Sequence, residues 1–223
     1  MRETAGRETL KILRNGVTIN IVNSGALPEP AAFLSPAEIK KYNSFKIPKR
    51  KTDWLGGRYA AKTLLASALS RKDLVNIEIS YDNYGRPLAA GQTISISHSG
   101  GLALAALKPG GGNFLGADIE FIEDRCAAWY ADYFHPEELP PQGGGKPEHD
   151  CGTATRLWAL KESLLKALGL GLRADLLAIK IGKKIEFSGL ALQRYRELGS
   201  PGFSVETRAW PEGFWTAVAV GKK

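Results

Sequence analysis

Two carboxylates, Asp118 and Glu120, stand two residues apart inside the apolar run Phe114-Leu115-Gly116-Ala117-Asp118-Ile119-Glu120-Phe121-Ile122. The run predicts a strand, and in a strand residues two apart share one face. Both acids then point the same way, with Ala117, Ile119 and Phe121 on the opposite, core-facing side. Like charges held side by side repel unless a cation lies between them. Oxygen ligands of this kind suit Mg2+, which takes one or two carboxylates, waters and substrate phosphates. The pattern fits a solvated strand face with acids paired to lysines as well, and spacing alone does not choose.

A third acid lies on the predicted helix Thr155-Arg156-Leu157-Trp158-Ala159-Leu160-Lys161-Glu162-Ser163-Leu164-Leu165-Lys166-Ala167-Leu168-Gly169. At about 100° per residue, Leu157, Leu160, Leu164 and Leu168 form one stripe, and Glu162 and Lys166 stand near the other side at i,i+4 spacing. They are either a solvated pair or, if the helix lies over the Asp118/Glu120 face, part of the same site. Ser97-His98-Ser99-Gly100-Gly101 closes another strand, and small hydrogen-bonding residues with glycines and a histidine there can hold a phosphate; a structural histidine is the other reading. Ser97 and His98 are adjacent and cannot face each other as nucleophile and base, so a Ser-His-Asp hydrolase has no support. His98, His135, His149, Cys126 and Cys151 lack zinc-ligand spacing. Lys40, Lys41, Lys46, Lys49, Arg50, Lys51, Arg58, Lys62 and Arg86 crowd the first half with little aromatic interleaving beyond Tyr42 and Phe45, as on a solvated basic face.

The elements that must position these residues follow from patterning. The chain of 223 residues is 43% hydrophobic, enough to bury a core as one domain or two small ones. Its net charge of +7 implies an anionic partner: nucleic acid, a phosphate-rich small molecule or an acidic protein. Two cysteines suit a reducing compartment better than a disulfide scaffold. The N-terminus carries acids and lacks a signal peptide's apolar segment, and no apolar run approaches the ~20 residues of a membrane helix, so a soluble cytoplasmic protein is expected.

Val17–Val22 alternates as a strand, and Ser35-Pro36-Ala37-Glu38 opens a helix with a capping box. A longer helix is expected over Lys51–Ser70; Gly56-Gly57 within it costs about 2 kcal/mol of propensity and implies close approach by a backbone or ligand, or tight packing. Strands are expected at Ile77–Ser80, Thr93–Ser97 and Leu102–Leu107. A glycine break at Pro109–Asn113 precedes the acid-bearing strand. A short helix near Asp124–Tyr130, a loop over residues 140–150, a helix from Thr153 stopped by Gly169 and Gly171, and antiparallel strands over the remainder complete the pattern. The fold class is α+β, given twice, with the seam in the glycine break.

In their order, Gly85-Arg86-Pro87, Ser95-Ile96-Ser97-His98-Ser99, Gly116-Ala117-Asp118-Ile119-Glu120 and Trp158-Ala159-Leu160-Lys161-Glu162-Ser163-Leu164-Leu165-Lys166-Ala167-Leu168-Gly169-Leu170-Gly171-Leu172 resemble the 4'-phosphopantetheinyl transferase superfamily, in its two-lobed, single-chain Sfp-type branch. The resemblance runs from about Phe33 to Val220, and Trp54–Lys62 is similar to the family's early helix that helps hold coenzyme A. It implies two similar α+β subdomains in a pseudo-twofold arrangement, each a small antiparallel sheet with a packed long helix. Residues 1–112 would contact coenzyme A, and 113–223 would carry the Mg2+ and catalytic acids.

The implied activity is transfer of the 4'-phosphopantetheine arm of coenzyme A to a serine of an apo acyl, peptidyl or polyketide carrier protein, with adenosine 3',5'-bisphosphate released. By motif match Asp118, Glu120 and Glu162 become Mg2+ ligands. Glu162, Asp118 and Lys166 become the catalytic set, the proton going to Glu162 or a metal-bound water. Arg58, Arg86, Ser97, His98, Lys161 and Lys166 become coenzyme A contacts. The implied form is a monomer free of nucleic acid and membrane; the competing reading of the charge is a basic nucleic-acid-binding module. Arg86 departs from a common lysine and Ala117 from a common valine or isoleucine. The loop over 140–150 falls where the family tends to approach the carrier.

Overall fold

The computed structural model describes residues 9–89, 91–110, 114–139 and 150–222. Residues 140–149, His149 among them, and 111–113 of the glycine break lie outside the described residues. The chain divides into two compact units, Met1–Leu115 and Gly116–Lys223. Each mixes helices with antiparallel strands, which is the α+β class.

In the first unit, β1 (Thr9–Ile12) and β2 (Thr18–Asn23) are followed by α1 (Pro36–Asn43) and α2 (Pro48–Ala68), then β3 (Ser80–Tyr81), β4 (Pro87–Ala89), β5 (Gln92–Ser99) and β6 (Leu102–Lys108). The strands form one antiparallel sheet ordered β1-β2-β6-β5-β4-β3. α1 opens as its sequence predicts: Glu38 N donates to Ser35 Oγ at 3.3 Å, and Ser35 N donates to Glu38 Oε2 at 3.0 Å. α2 begins three residues before the expected Lys51 because Pro48, lacking an N–H, suits a first turn. It packs on β2, β5 and β6. A Cβ on Gly56 would stand 2.1 Å from Ser24 Oγ, and one on Gly57 2.8 Å from Ile96 Cγ2. The glycine pair thus gives up helix propensity for close approach to the sheet. Ala60, Ala61, Leu64, Leu65, Ile94 and Leu107 fill that contact. Ile77 and Ile79 join this core without forming the expected strand, which is confined to Ser80–Tyr81.

The second unit holds most of β7 (Phe114–Phe121), then α3 (Ala127–Tyr133), α4 (Cys151–Leu168), β8 (Ile179–Ile181), β9 (Ile185–Phe187), α5 (Gly189–Glu197), β10 (Gly202–Arg208) and β11 (Phe214–Lys222). One sheet runs β10-β11-β7, and β8 and β9 form a separate ribbon. α4 lies on β11. Asp150 Oδ2 accepts from Thr153 N at 2.7 Å at its start, and Gly169 takes the left-handed conformation (φ 76°) that ends it. Two expectations are corrected. α5 replaces strand within the C-terminal remainder, with Ala191 buried and Arg194 donating to Leu168 O at 3.1 Å. Phe121 does not face the core: at the end of β7 it is 42% exposed, against the ring of Phe214. Among the described residues no helix is long and apolar enough to cross a membrane. Cys126 and Cys151 are not joined in a disulfide.

Candidate functional site

The acid-bearing strand and the acid-bearing helix meet because Gly116 has no side chain. A Cβ there would stand 1.8 Å from Ser163 O and 2.5 Å from Ala167 N, so the α4 backbone rests directly on β7. Alternation puts Gly116, Asp118 and Glu120 on one strand face, and that is the face α4 covers. Asp118 is 1% exposed and Glu162 5%. Asp118 and Glu162 are therefore interior, while Glu120 and Lys166 keep partial exposure. Lys166 Nζ donates to Asp118 Oδ1 at 2.6 Å and reaches Ala117 O at 3.4 Å. Trp158 Nε1 donates to Glu120 Oε1 at 3.3 Å.

The electrostatics follow from this packing. Burial, and then the negative charge of Asp118, push the Glu162 carboxyl up to about 7, with Lys166 pulling the other way. Burial alone would lower Lys166, but the carboxylates of Asp118, Glu162 and Glu120 outweigh it and hold the ammonium above its ordinary value. The charge of all three predicted ligands reaches the Lys166 ammonium, and Asp118 is bonded to it. Among the described residues, no three His, Cys, Asp or Glu side chains stand close enough together to hold a metal ion as they are. The donor chemistry nevertheless suits Mg2+: the set is all-oxygen, and Glu162 Oε1 is buried without a hydrogen-bond partner.

The first unit carries a cavity of about 290 Å³ whose wall includes Asp53, Trp54, Arg58, Tyr81, Gly85 and His98. The Arg58 guanidinium lies 5.0 Å from the Trp54 ring and 5.1 Å from the Tyr81 ring, geometry that suits cation–π attraction. Arg58 is 5% exposed, and its Nε and Nη1 are buried without hydrogen-bond partners. His98 Nδ1 stands 3.7 Å from Asp53 Oδ2, and Asp53 is bonded to Lys49 at 2.7 Å.

Three predicted contacts are placed elsewhere. Ser97 is buried on the strand face opposite His98 and does not line the cavity. Arg86 is not in the wall, although its neighbours Gly85 and Pro87 are; its Nε donates to Asp82 Oδ2 at 2.7 Å and ties down the turn. Partial burial would raise the Asp82 carboxyl, but bonds from the Arg86 amide and guanidinium and the Tyr84 amide hold it below its ordinary value. Lys161, expected at the coenzyme, lies in the interior of the second unit. It is fully buried, and its Nζ donates to Glu138 Oε2 at 2.7 Å and Tyr133 O at 3.0 Å. Burial lowers this ammonium, with Glu138 opposing.

Sequence reasoning missed Glu138, Trp158 and the buried role of Lys62. Lys62 is also fully buried; its Nζ lies 2.5 Å from Glu38 Oε2 and donates to Phe33 O at 2.8 Å and Leu74 O at 3.1 Å. A signal existed: Lys62 follows Leu55 by seven residues, and Lys161 follows Leu157 by four. Each therefore sits on its helix's apolar stripe, where a cation must be buried with a partner.

The 4'-phosphopantetheinyl transferase superfamily model matches residues 114–213. The 4'-phosphopantetheinyl transferase HetI of Nostoc sp. (strain PCC 7120) is 26% identical over 157 residues, covering 66% of this chain and 64% of that protein. The holo-[acyl-carrier-protein] synthase of Lactococcus lactis subsp. lactis is 41% identical over 80 residues, covering 30% of this chain and 65% of that protein. The chain thus spans just under two thirds of the length of these relatives. Among solved structures, a holo-(acyl-carrier-protein) synthase from Bacillus anthracis, in complex with CoA (3',5'-ADP), aligns with TM-score 0.36 at 24% identity, covering 41% of this chain and 91% of that one. Residues 114–213, with GADIE on β7 and the KES helix laid over it, are thus the part of this chain that is similar to the 4'-phosphopantetheinyl transferase superfamily.

Proposed function

We propose that the chain transfers the 4'-phosphopantetheine group of coenzyme A to a serine hydroxyl of an apo acyl, peptidyl or polyketide carrier protein and releases adenosine 3',5'-bisphosphate. The observation that carries this reading is the burial of Asp118 and Glu162 where α4 rests on β7, with Lys166 bonded to Asp118 at 2.6 Å, inside the matched segment. In the reaction the serine oxygen forms a bond to the β-phosphorus. The bond from that phosphorus to the leaving bisphosphate breaks, and the hydroxyl proton passes to Glu162. A carboxyl near pH 7 suits that exchange. Asp118, Glu120 and Glu162 would hold Mg2+, which would supply neutralisation of the diphosphate's charge. Lys166 adds an ammonium at the phosphates, and positioning plus fixed charge supplies most of what phosphoryl transfer needs. Arg58 and His98 receive an anionic part of the coenzyme. The working form is a cytoplasmic monomer.

The nucleic-acid reading weakens where the cations are counted by place: Lys62 and Lys161 are fully buried and Arg58 is 5% exposed, so part of the positive charge is interior. The test is a labelling screen of purified apo carriers with a fluorescent coenzyme A analogue. Labelling of at least one carrier is expected with Mg2+ and not with chelator. Asp118→Ala and Glu162→Ala should each lower the rate by about 10³-fold while remaining folded. Wild-type labelling by either folded variant would sink the assignment.

A further inference from the structure

Two acids stand near Arg58, and each is engaged by another cation. Asp53, on the same cavity wall, is bonded to Lys49 at 2.7 Å. Glu38 Oε2 is held by Lys62 at 2.5 Å, while Glu38 Oε1 forms an ion pair with Arg58 Nε at 3.5 Å that makes no hydrogen bond. Lys62 has a fixed seat, since its ammonium also donates to Phe33 O and Leu74 O and it has no exposed surface. Arg58 Nε and Nη1 are consequently buried without a hydrogen-bond acceptor, between two aromatic rings, at the wall of a cavity. Buried donors of this kind carry a large desolvation cost until an acceptor arrives.

We infer that Lys62 is a positioning residue: by drawing the Glu38 carboxylate to itself through Oε2 it holds Oε1 back from hydrogen bonding to Arg58 and keeps the guanidinium donors available to an anionic ligand. This deepens the coenzyme A reading and rests on it for the ligand's identity. Without Lys62, Glu38 has one cation left within reach, and a closed Arg58–Glu38 pair would compete with a phosphate for the same donors.

Equilibrium binding to the full chain tests this, with adenosine 3',5'-bisphosphate and inorganic pyrophosphate as probes and circular dichroism to verify folding. Lys62→Met should weaken bisphosphate binding by about tenfold, a tenth of the equilibrium constant. Arg58→Met should weaken it at least as much, and Lys62→Met placed on Arg58→Met should add less than about twofold, because coupled residues are not additive. Glu38→Gln keeps an acceptor for the Ser35 cap bond and removes the competing charge, so it should bind at least as tightly as the wild type. It also serves if Lys62→Met fails to fold, as does Glu38→Gln/Lys62→Met, which should return to within about threefold of the wild type. Weaker binding by Glu38→Gln, or an undiminished effect of Lys62→Met without Arg58, would overturn the inference. Wild-type binding of pyrophosphate but not bisphosphate would overturn the coenzyme reading alone; the variants, repeated with pyrophosphate, would then judge Lys62. Binding of neither probe would overturn both.

Discussion

The buried charge clusters of the two units are near mirror images in sign. In the first, one acid, Glu38, stands with two cations, Lys62 and Arg58. In the second, three acids, Asp118, Glu120 and Glu162, act on one cation, Lys166. The second unit also supplies the control, because Lys161 and Glu138 form a fully buried pair of one cation and one acid at 2.7 Å. A balanced buried pair needs no ligand, whereas an excess of either sign costs free energy until an ion of opposite charge arrives. The cation excess suits an anion and the acid excess a cation. The balanced pair holds the chain together.

Breaking the balance where it exists should produce the largest stability effect. Lys161→Met strands Glu138 in the interior and should cost about 3–5 kcal/mol, while Glu138→Gln together with Lys161→Met should recover most of it. Denaturant unfolding measures both. A single variant as stable as the wild type would show the pair to be incidental and weaken the contrast with the ligand-directed clusters. Next in size is the contact that creates the acid excess. Gly116→Ala sets a Cβ against the α4 backbone at Ser163 and Ala167 and should cost about 3 kcal/mol. Gly56→Ala meets the Ser24 hydroxyl, which can rotate away, and the Ser24 and Ala103 Cβ atoms at 3.0 Å, which must shift slightly, and should cost about 1 kcal/mol. Equal effects would mean that α4 does not rest on β7 as described.

A third test uses pH on the chelated, metal-free protein. Glu162 has a folded value near 7 against an ordinary 4.5. Between those values the native state keeps a proton that the unfolded chain has lost. Stability should therefore fall as pH rises from about 4.5 to about 7, by about 3 kcal/mol in all, and change no further above that. Glu162→Gln should flatten the profile, and Mg2+ should reduce the slope. A wild-type profile already flat across that window would remove the acid excess from the account.

Much of this arrangement is visible before any coordinates. Gly116 is required by close packing and Gly169 by a left-handed cap, and both stand in the motif. Period-two patterning puts Asp118 and Glu120 on one face; the capping box at Ser35 and Glu38 forms as spelled. Coarse periodicity loses what depends on partners far away in the chain. The motif names Lys161 without its partner, Glu138, which stands 23 residues earlier. Glu38 was legible as a cap, yet Lys62 and Arg58, which give it a second use, lie beyond any local window. α5 is hard to read because it is short and flanked by strands, and its stripe, Ala191, Tyr195 and Leu198, spans only about two turns.

The smallest effect separates two arginines of the first unit. Arg86 and Arg58 were both expected at the coenzyme, yet only Arg58 lines the cavity. Arg86 is bonded to Asp82 four residues away, with about a third of its side chain exposed. An exposed pair at that spacing contributes about 0.5 kcal/mol. Arg86→Ala should therefore lower stability by about that much and change the dissociation constant for adenosine 3',5'-bisphosphate by less than about threefold, because a partly exposed turn charge acts on a cavity only through screened distance. A tenfold loss would mean that the Asp82 bond is exchanged for a ligand when one binds. The cation excess of the first unit would then extend beyond Arg58 to the turn.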